Sequence, residues 1–431
     1  MDKTGRNQWL VELVIVSILI IVSTIIFRHT NADIALEGRF YCEQCPDSKW
    51  LLEKNGALRF FYNYGSWPAA ITVIGALVLL VLSYFKSALV RYRVYSIFLI
   101  LALLIGPGFI INSVLKVHWG KPRPREVREF GGRWEYQKLF QKGESGRGKS
   151  FPCGHCSMGY FFFAFYFIFK NKRRRLAFLF LLFGMIYGSM IGFSRMALGG
   201  HFPSDVLWAA FIPFLVPLVL YYFVLNIPRK ERCLNEAAPA VSWRKKLIVV
   251  GLGGILIILV LGALFLATPV YEEIHDQTNE GYLNGGQFSV DMHCSRCDLD
   301  LYLENGGGPA VAVSGTAQGF GFPTNKISHT LTETVRQGVP TVFFDLRHKG
   351  FFSELVNTIQ VKLRKKRLAH LNITVDEGDV AVHDSTDAGL GKGLPESRLV
   401  ITVKHGTLTI PRSFHGKNVM LNVPSGSLKY E

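Results

Sequence analysis

Apolar residues in this 431-residue chain follow two rhythms. Up to about residue 267 they gather into runs of 15 to 22 residues separated by short charged segments; beyond it they alternate with polar residues. A helix rises 1.5 Å per residue, so such runs match a hydrocarbon core of ~30 Å. The runs near 9–27, 68–85, 94–115, 156–170, 176–194, 204–225 and 247–267 predict seven spans, of which the fourth is the shortest. The first lacks the small-residue cleavage pattern of a signal peptide and reads as a retained anchor. The fold class expected is therefore an all-α polytopic membrane bundle over 1–267, followed by an all-β soluble domain over 268–431.

In the second part, Thr341-VFFDL, Leu371-NITV and Leu399-VITV alternate as half-buried strands do. Val375-DEG-DVAV, Val403-KHG-TLTI and Val423-PSG-SLKY share one pattern, with a glycine between two alternating runs and spacings of 28 and 20 residues. A glycine there suits a tight turn with positive φ. Both a β-solenoid and a sandwich with similar turns fit this repeat. No catalytic constellation falls in this domain, which is expected to bind something or shield a site.

Charge adds sidedness. Lys3 and Arg6 precede the first run, Lys86, Arg91 and Arg93 lie between the second and third, and Lys170 with Lys172-Arg-Arg-Arg175 between the fourth and fifth. Arg229, Lys230, Arg232, Arg244, Lys245 and Lys246 lie between the sixth and seventh. With seven spans all four clusters fall on one face, which the positive-inside rule makes the cytoplasm. The N-terminus is then inside and residues after 268 outside, as in a bacterial inner-membrane protein with a periplasmic domain. The net charge of +16 is thus largely topogenic. No zinc finger, aromatic RNA-binding signature or basic helical face accompanies it, so nucleic acid is not an expected partner. The exception is 116–149, an outer segment with ten Lys/Arg against four Glu, which reads as a basin for an anionic substrate.

Six of the seven cysteines form CxxC pairs, Cys42/Cys45, Cys153/Cys156 and Cys294/Cys297, all on the side read as outside; Cys233 falls inside. Paired cysteines on an oxidising side are expected to be disulfides, with half of a zinc site as the other reading.

Three polar motifs interrupt the runs: Lys116-VHWGKP-Arg123-Pro124, Pro152-Cys153-Gly154-His155 and Ser194-Arg195-MALGG-His201-FPS-Asp205. Lys116, Arg123 and Arg195 are suited to phosphate oxygens, arginine by a two-pronged grip and lysine as a point charge. Gly154, with Cys153 before it, could offer a backbone N–H at a helix start. His201 and Asp205, at i and i+4, share a helical face, so the carboxylate can hold the imidazole and steady an imidazolium. His201 would attack phosphorus and His155 protonate the leaving oxygen. No HExxH, Walker A loop or EF-hand is present, and neither a metal nor another cofactor is expected.

The KxxxxxxRP, PxGH and SRxxxxxHxxxD series resembles the type 2 phosphatidic acid phosphatase superfamily, whose core is shared with vanadium haloperoxidases. The resemblance covers about 60–226. It implies a helical bundle, metal-independent hydrolysis of a phosphorylated membrane lipid, His201 as nucleophile, His155 as general acid, and Lys116, Arg123 and Arg195 on the phosphate. Cys153 stands where the family usually has serine, and the β-domain lies outside the family core. His118-WGKPRPREV followed by Glu129-FGG looks most like bacterial enzymes of the lipid A phosphatase type. Undecaprenyl diphosphate, phosphatidylglycerol phosphate, phosphoryl transfer to another lipid, and a sensor with a degenerate enzyme domain are the remaining readings.

Overall fold

A computed structural model describes residues 3–45, 49–143, 148–232, 242–278, 286–305, 308–336, 338–384, 398–414 and 419–430. The chain forms two compact units, Met1–Leu264 and Phe265–Glu431. Cys233, expected unpaired, lies outside the described residues.

The first unit is helical. Helix α1 (Lys3–His29) leads into the short α2 (Ala32–Glu37), and α3 (Gly56–Tyr64) precedes α4 (Trp67–Leu82). Helix α5 (Arg93–Leu103) continues as a π-helical stretch, Leu104–Leu115, and then one turn, α6 (Lys116–Trp119). Pro107 sits inside that stretch, where a ring without an N–H forbids regular α pairing, and the Asn112 side chain donates to the Pro107 carbonyl instead. Then come α7 (Gly154–Tyr160), α8 (Phe163–Phe169), α9 (Arg174–Ala197), α10 (Pro203–Val219), α11 (Ile227–Arg232) and α12 (Trp243–Leu266).

Among the described residues six stretches are long and apolar enough to cross a membrane: Gln8–His29, Gly56–Leu82, Ser87–Glu126, Arg174–Ala197, Pro203–Val224 and Trp243–Leu266. The fourth expected run, the shortest in the sequence, is the one not among these six: there α7 and α8 make the shorter apolar stretch Gly154–Phe169. At 1.5 Å per residue that is about 24 Å of helix. It nevertheless joins the same two polar ends as its long neighbours. At one end the Cys153 N–H, just before α7, donates to the Asp205 carbonyl in α10. At the other end, just past α8, Lys170 Nζ pairs with Glu12 of α1 at 2.6 Å and donates to the Tyr222 hydroxyl. Between these ends the helices bury Val73, Phe98, Phe167 and Tyr221 in one apolar core.

The second unit is all β: β1 (Thr268–Gln277), β2 (Phe288–Cys294), β3 (Asp298–Glu304), β4 (Val311–Gly321), β5 (Lys326–Arg336), β6 (Val339–Lys349), β7 (Phe352–Arg364), β8 (Leu368–Glu377), β9 (Val380–Asp384), β10 (Arg398–Ile410), β11 (Val419–Asn422) and β12 (Ser425–Tyr430). All twelve belong to one sheet, and that sheet curls into a nearly closed, barrel-like wall around a single core. Its central pairing is that of a solenoid. Strands β6, β2, β8, the first half of β10 and β11 stack in parallel, and so do β7, β3, β9, the second half of β10 and β12. Each rung is one strand, a corner, and a second strand. Antiparallel β5, β4 and β1 close one end.

Alternation places Val342, Val290, Leu371 and Leu399 in one inward ladder and Phe344, Met292, Ile373 and Ile401 in the next. The repeated glycine forms the corner. A Cβ on Gly378 would lie 1.9 Å from the Cys297 carbonyl oxygen, one on Gly406 1.9 Å from that of Gly378, and one on Gly426 1.8 Å from that of Gly406. Only glycine lets successive corners stack this closely. Cys294 and Cys297 are not joined by a disulfide, which corrects the bridge expected there. Cys294 continues the inward period of Val290 and Met292, in register with Leu346 and Val375, so it packs as a small apolar residue.

Candidate active site

The three motifs meet through backbone hydrogen bonds. The Arg125 N–H donates to the Gly199 carbonyl at 3.2 Å, Ser150 N–H to Lys121 O at 3.0 Å, and Cys153 N–H to Asp205 O at 3.2 Å. Each bond joins one motif to another or to the residues flanking it, so the motifs are held relative to one another by main chain.

His201 sits in the turn between α9 and α10. Gly199, with φ +65°, ends α9 against the ring of Trp50, where a Cβ would come within 2.3 Å. Gly200 N–H then closes back on the Arg195 carbonyl at 2.7 Å. Pro203 opens α10, and Asp205 caps it by accepting from the Phe202 N–H at 2.9 Å. The imidazole is buried. Its Nδ1 donates to the Ser150 carbonyl at 2.6 Å, while Asp205 Oδ2 stands 3.9 Å away. The tautomer is thus set by a main-chain carbonyl, and Asp205 stands where it steadies positive charge once the ring acquires it. Burial pushes His201 down to about 4; Asp205 opposes this, and the cations Arg123 and Lys116 add to it. The ring is neutral at physiological pH with Nε2 carrying the lone pair.

Arg195, in the last turn of α9, is buried with its guanidinium 3.6 Å from the Tyr62 ring centroid and Nη2 donating to the Tyr62 carbonyl at 2.7 Å. Arg123 is buried too, its N–H donating to Glu126 Oε2 at 2.7 Å. Lys116 lies in α6 and His155 in the first turn of α7, both half-exposed. Gly154 is closed off by Asn112, whose Oδ1 would lie 2.3 Å from any Cβ there. Cys153 forms a disulfide with Cys156, and Cys42 with Cys45. Bridged and fully buried, Cys153 has no S–H to donate, so its side chain leaves the expected phosphate-binding set.

Sequence reasoning missed a second layer. Lys121 Nζ, fully buried, meets Asp205 Oδ1 at 2.9 Å, Ser204 Oγ at 2.9 Å and Asp33 Oδ2 at 3.2 Å. Asp33, in α2, also accepts from the Ser204 N–H at 2.9 Å, Ser204 Oγ at 2.6 Å and Tyr136 Oη at 3.0 Å. Ser150 Oγ donates to Asp205 Oδ2 at 2.5 Å. Glu37 lies four residues after Asp33, buried, with no hydrogen-bond partner for either oxygen among the described residues. Burial, reinforced by the charges of Asp205 and Asp33, pushes its carboxyl well above the usual range. The one available hint was an Asp and a Glu at i, i+4 after a retained anchor. Among the described residues no group of three His, Cys, Asp or Glu side chains is placed to hold a metal.

Known proteins share this arrangement of sequence. The PAP2 superfamily model matches residues 97–229. The lipid A 4'-phosphatase of Francisella tularensis subsp. novicida (strain U112) is 31% identical over 193 residues, which span 44% of this chain and 85% of that protein. Lipid A 4'-phosphatases of Rhizobium leguminosarum and Rhizobium etli (strain ATCC 51251 / DSM 11541 / JCM 21823 / NBRC 15573 / CFN 42) are each 30% identical, over 30% of this chain and 53% and 49% of their own lengths. The chain spans about half of these two relatives. With the Francisella protein covered nearly end to end and every fixed position of the His201 motif in place, the chain belongs to the PAP2 superfamily.

Proposed function

We propose that this PAP2-superfamily phosphatase removes a phosphate monoester from a membrane lipid through a phosphohistidine on His201. The carrying observation is the Nδ1 bond to the Ser150 carbonyl, which leaves the lone pair of the neutral ring on Nε2, as a nucleophile requires. Lys116, Arg123 and Arg195 hold the phosphoryl oxygens and offset charge as it builds on them. Nε2 attacks phosphorus as the P–O bond to the lipid breaks, and His155 delivers its proton to the leaving oxygen. The phosphorylated ring is cationic, and Asp205 and the Ser150 carbonyl stabilise it. Water, losing its proton to His155, then attacks phosphorus and releases phosphate and neutral His201.

His201→Ala is expected to abolish turnover, while His155→Ala retains transfer from substrates with good leaving groups. General-acid help is worth about 10²–10⁴-fold and an activated leaving group needs less of it. Robust turnover in His201→Ala overturns the assignment.

The substrate proposed is lipid A. This rests on the names of the three relatives and on the basic segment 116–149, since lipid A carries two phosphates. Mass spectrometry of total lipid from a deletion strain tests it. Retention of one extra phosphate on lipid A supports the reading, and retention on a polyprenyl or glycerolipid instead overturns it.

The proposed orientation puts α7–α8 across the bilayer as the fourth of seven spans and the site on the periplasmic face. Its support is the pair of polar ends that the short helices join and the side of the four Lys/Arg clusters. A reporter fused after residue 268 is then active only in the periplasm, and one fused near Arg174 only in the cytoplasm. Both on one side contradict it.

A further inference from the structure

We infer that one corner of the β-domain is a docking surface for the anionic headgroups of the bilayer from which α12 emerges. Leu266 closes the last apolar span and Thr268 opens β1, so a single residue separates membrane helix from sheet. Within the domain, Thr268 pairs with Gly321, and the Ser353 hydroxyl donates to the Leu266 carbonyl at 3.0 Å. The turns that follow Gly321 and precede Ser353 are therefore held beside the point where the chain leaves the hydrocarbon. Asn325 links the two turns by donating from Nδ2 to the Phe351 carbonyl.

These turns carry side chains suited to that level. Phe322 is 37% exposed and Phe351 64% exposed, whereas Phe288, Phe320, Phe344 and Phe414 of the same domain are buried and Phe343 and Phe352 half-buried. Aromatic rings of this kind bury into the headgroup boundary while the backbone stays wet. Beside them Lys326 and Lys349 stand directly opposite each other on β5 and β6, both exposed and with no ion-pair partner among the described residues. Like charges directly opposite on a sheet repel. An anion between them removes that repulsion, and phosphate-bearing headgroups supply one at the depth the two rings reach. Every residue used lies in the β-domain, and the inference does not depend on which phosphate the enzyme removes.

The test uses the full chain in nanodiscs and Trp substitutions at two exposed positions, where a larger ring meets no packed neighbour. Phe351→Trp is compared with Val335→Trp, which lies roughly 30 Å along β5 at the far end of the hairpin. The wild-type spectrum is subtracted from each. With brominated lipids and a phosphatidylglycerol-rich bilayer, the added emission of Phe351→Trp is expected to be quenched and blue-shifted, and that of Val335→Trp unchanged. Adding Lys326→Glu and Lys349→Glu should weaken the quenching severalfold, since each lysine near an anionic surface is worth about fivefold in occupancy. Equal emission from the two Trp positions in brominated nanodiscs overturns the docking. Equal quenching of Phe351→Trp in purely zwitterionic bilayers, or quenching unaffected by the lysine changes, overturns the assignment of anionic headgroups.

Discussion

Asp33→Ala is the most informative perturbation of the layer beneath the site. The carboxylate accepts from Lys121 Nζ, the Ser204 N–H and hydroxyl, and the Tyr136 hydroxyl, and both it and Lys121 are wholly buried. Its loss takes one of two paired carboxylates from Lys121 and leaves the Ser204 N–H and the Tyr136 hydroxyl short of their acceptor, at about 1–3 kcal/mol for each buried donor left unsatisfied. Lys121 then keeps Asp205 and the Ser204 hydroxyl, and Asp205 is the residue that caps α10 and faces His201. A displacement of about 1 Å at a nucleophile is worth roughly a hundredfold in rate, so kcat is expected to fall by that order. The assay is SDS titration in mixed micelles for Asp33→Ala, Lys121→Met and the pair, with kcat measured on the same samples. If the two groups act as one, the double variant is less damaged than the sum of the singles by about 1.5–3 kcal/mol. Additivity within about 0.5 kcal/mol refutes the reasoning.

Two further outcomes follow from titration. The Glu37 carboxyl is raised above 4.5, so it stays protonated in the fold while the unfolded chain ionises, and wild-type stability falls as pH rises from about 4.5 toward the folded value. Glu37→Gln removes that slope: in the same SDS titration it should match wild type at pH near 4 and be at least as stable near pH 8, and a less stable variant near pH 8 contradicts this. His201 is depressed to about 4, so the acid limb of kcat/KM that reports its protonation lies near 4, below which Nε2 has no lone pair. Because the Lys116 charge contributes to that depression, Lys116→Gln should move the limb upward; an unmoved limb in the measured pH profile contradicts it.

The chemistry was legible because it is local. Pro152 to His155 and Arg195 to Asp205 each occupy a single turn or helix start, and their residue types announce phosphate and proton transfer. Lys121 was visible as a charge and invisible as a partner, since Asp33 stands 88 residues away on a helix that no periodicity connects to it. Ser150 was unreadable for a different reason: its carbonyl, which every residue has, does the work on His201. In the β-domain the glycine repeat marked corners, but corners of a sandwich and of a solenoid look alike until the register shows parallel rungs. Stacking also departs from chain order, with β2 inserted between β6 and β8, which no local pattern encodes. Cys294 and Cys297 were misread from spacing, although alternation from Val290 through Met292 already pointed Cys294 into the core.

Trapping the covalent intermediate tests the central claim most directly. Enzyme in nanodiscs is mixed with a phosphate-radiolabelled lipid substrate and quenched in alkali within a single turnover, which preserves a phosphohistidine. The label is expected to be stable to base, labile to acid, confined to the peptide containing His201, and absent from His201→Ala. Turnover that proceeds with no base-stable label on the wild-type protein, or a label that persists in His201→Ala, contradicts it.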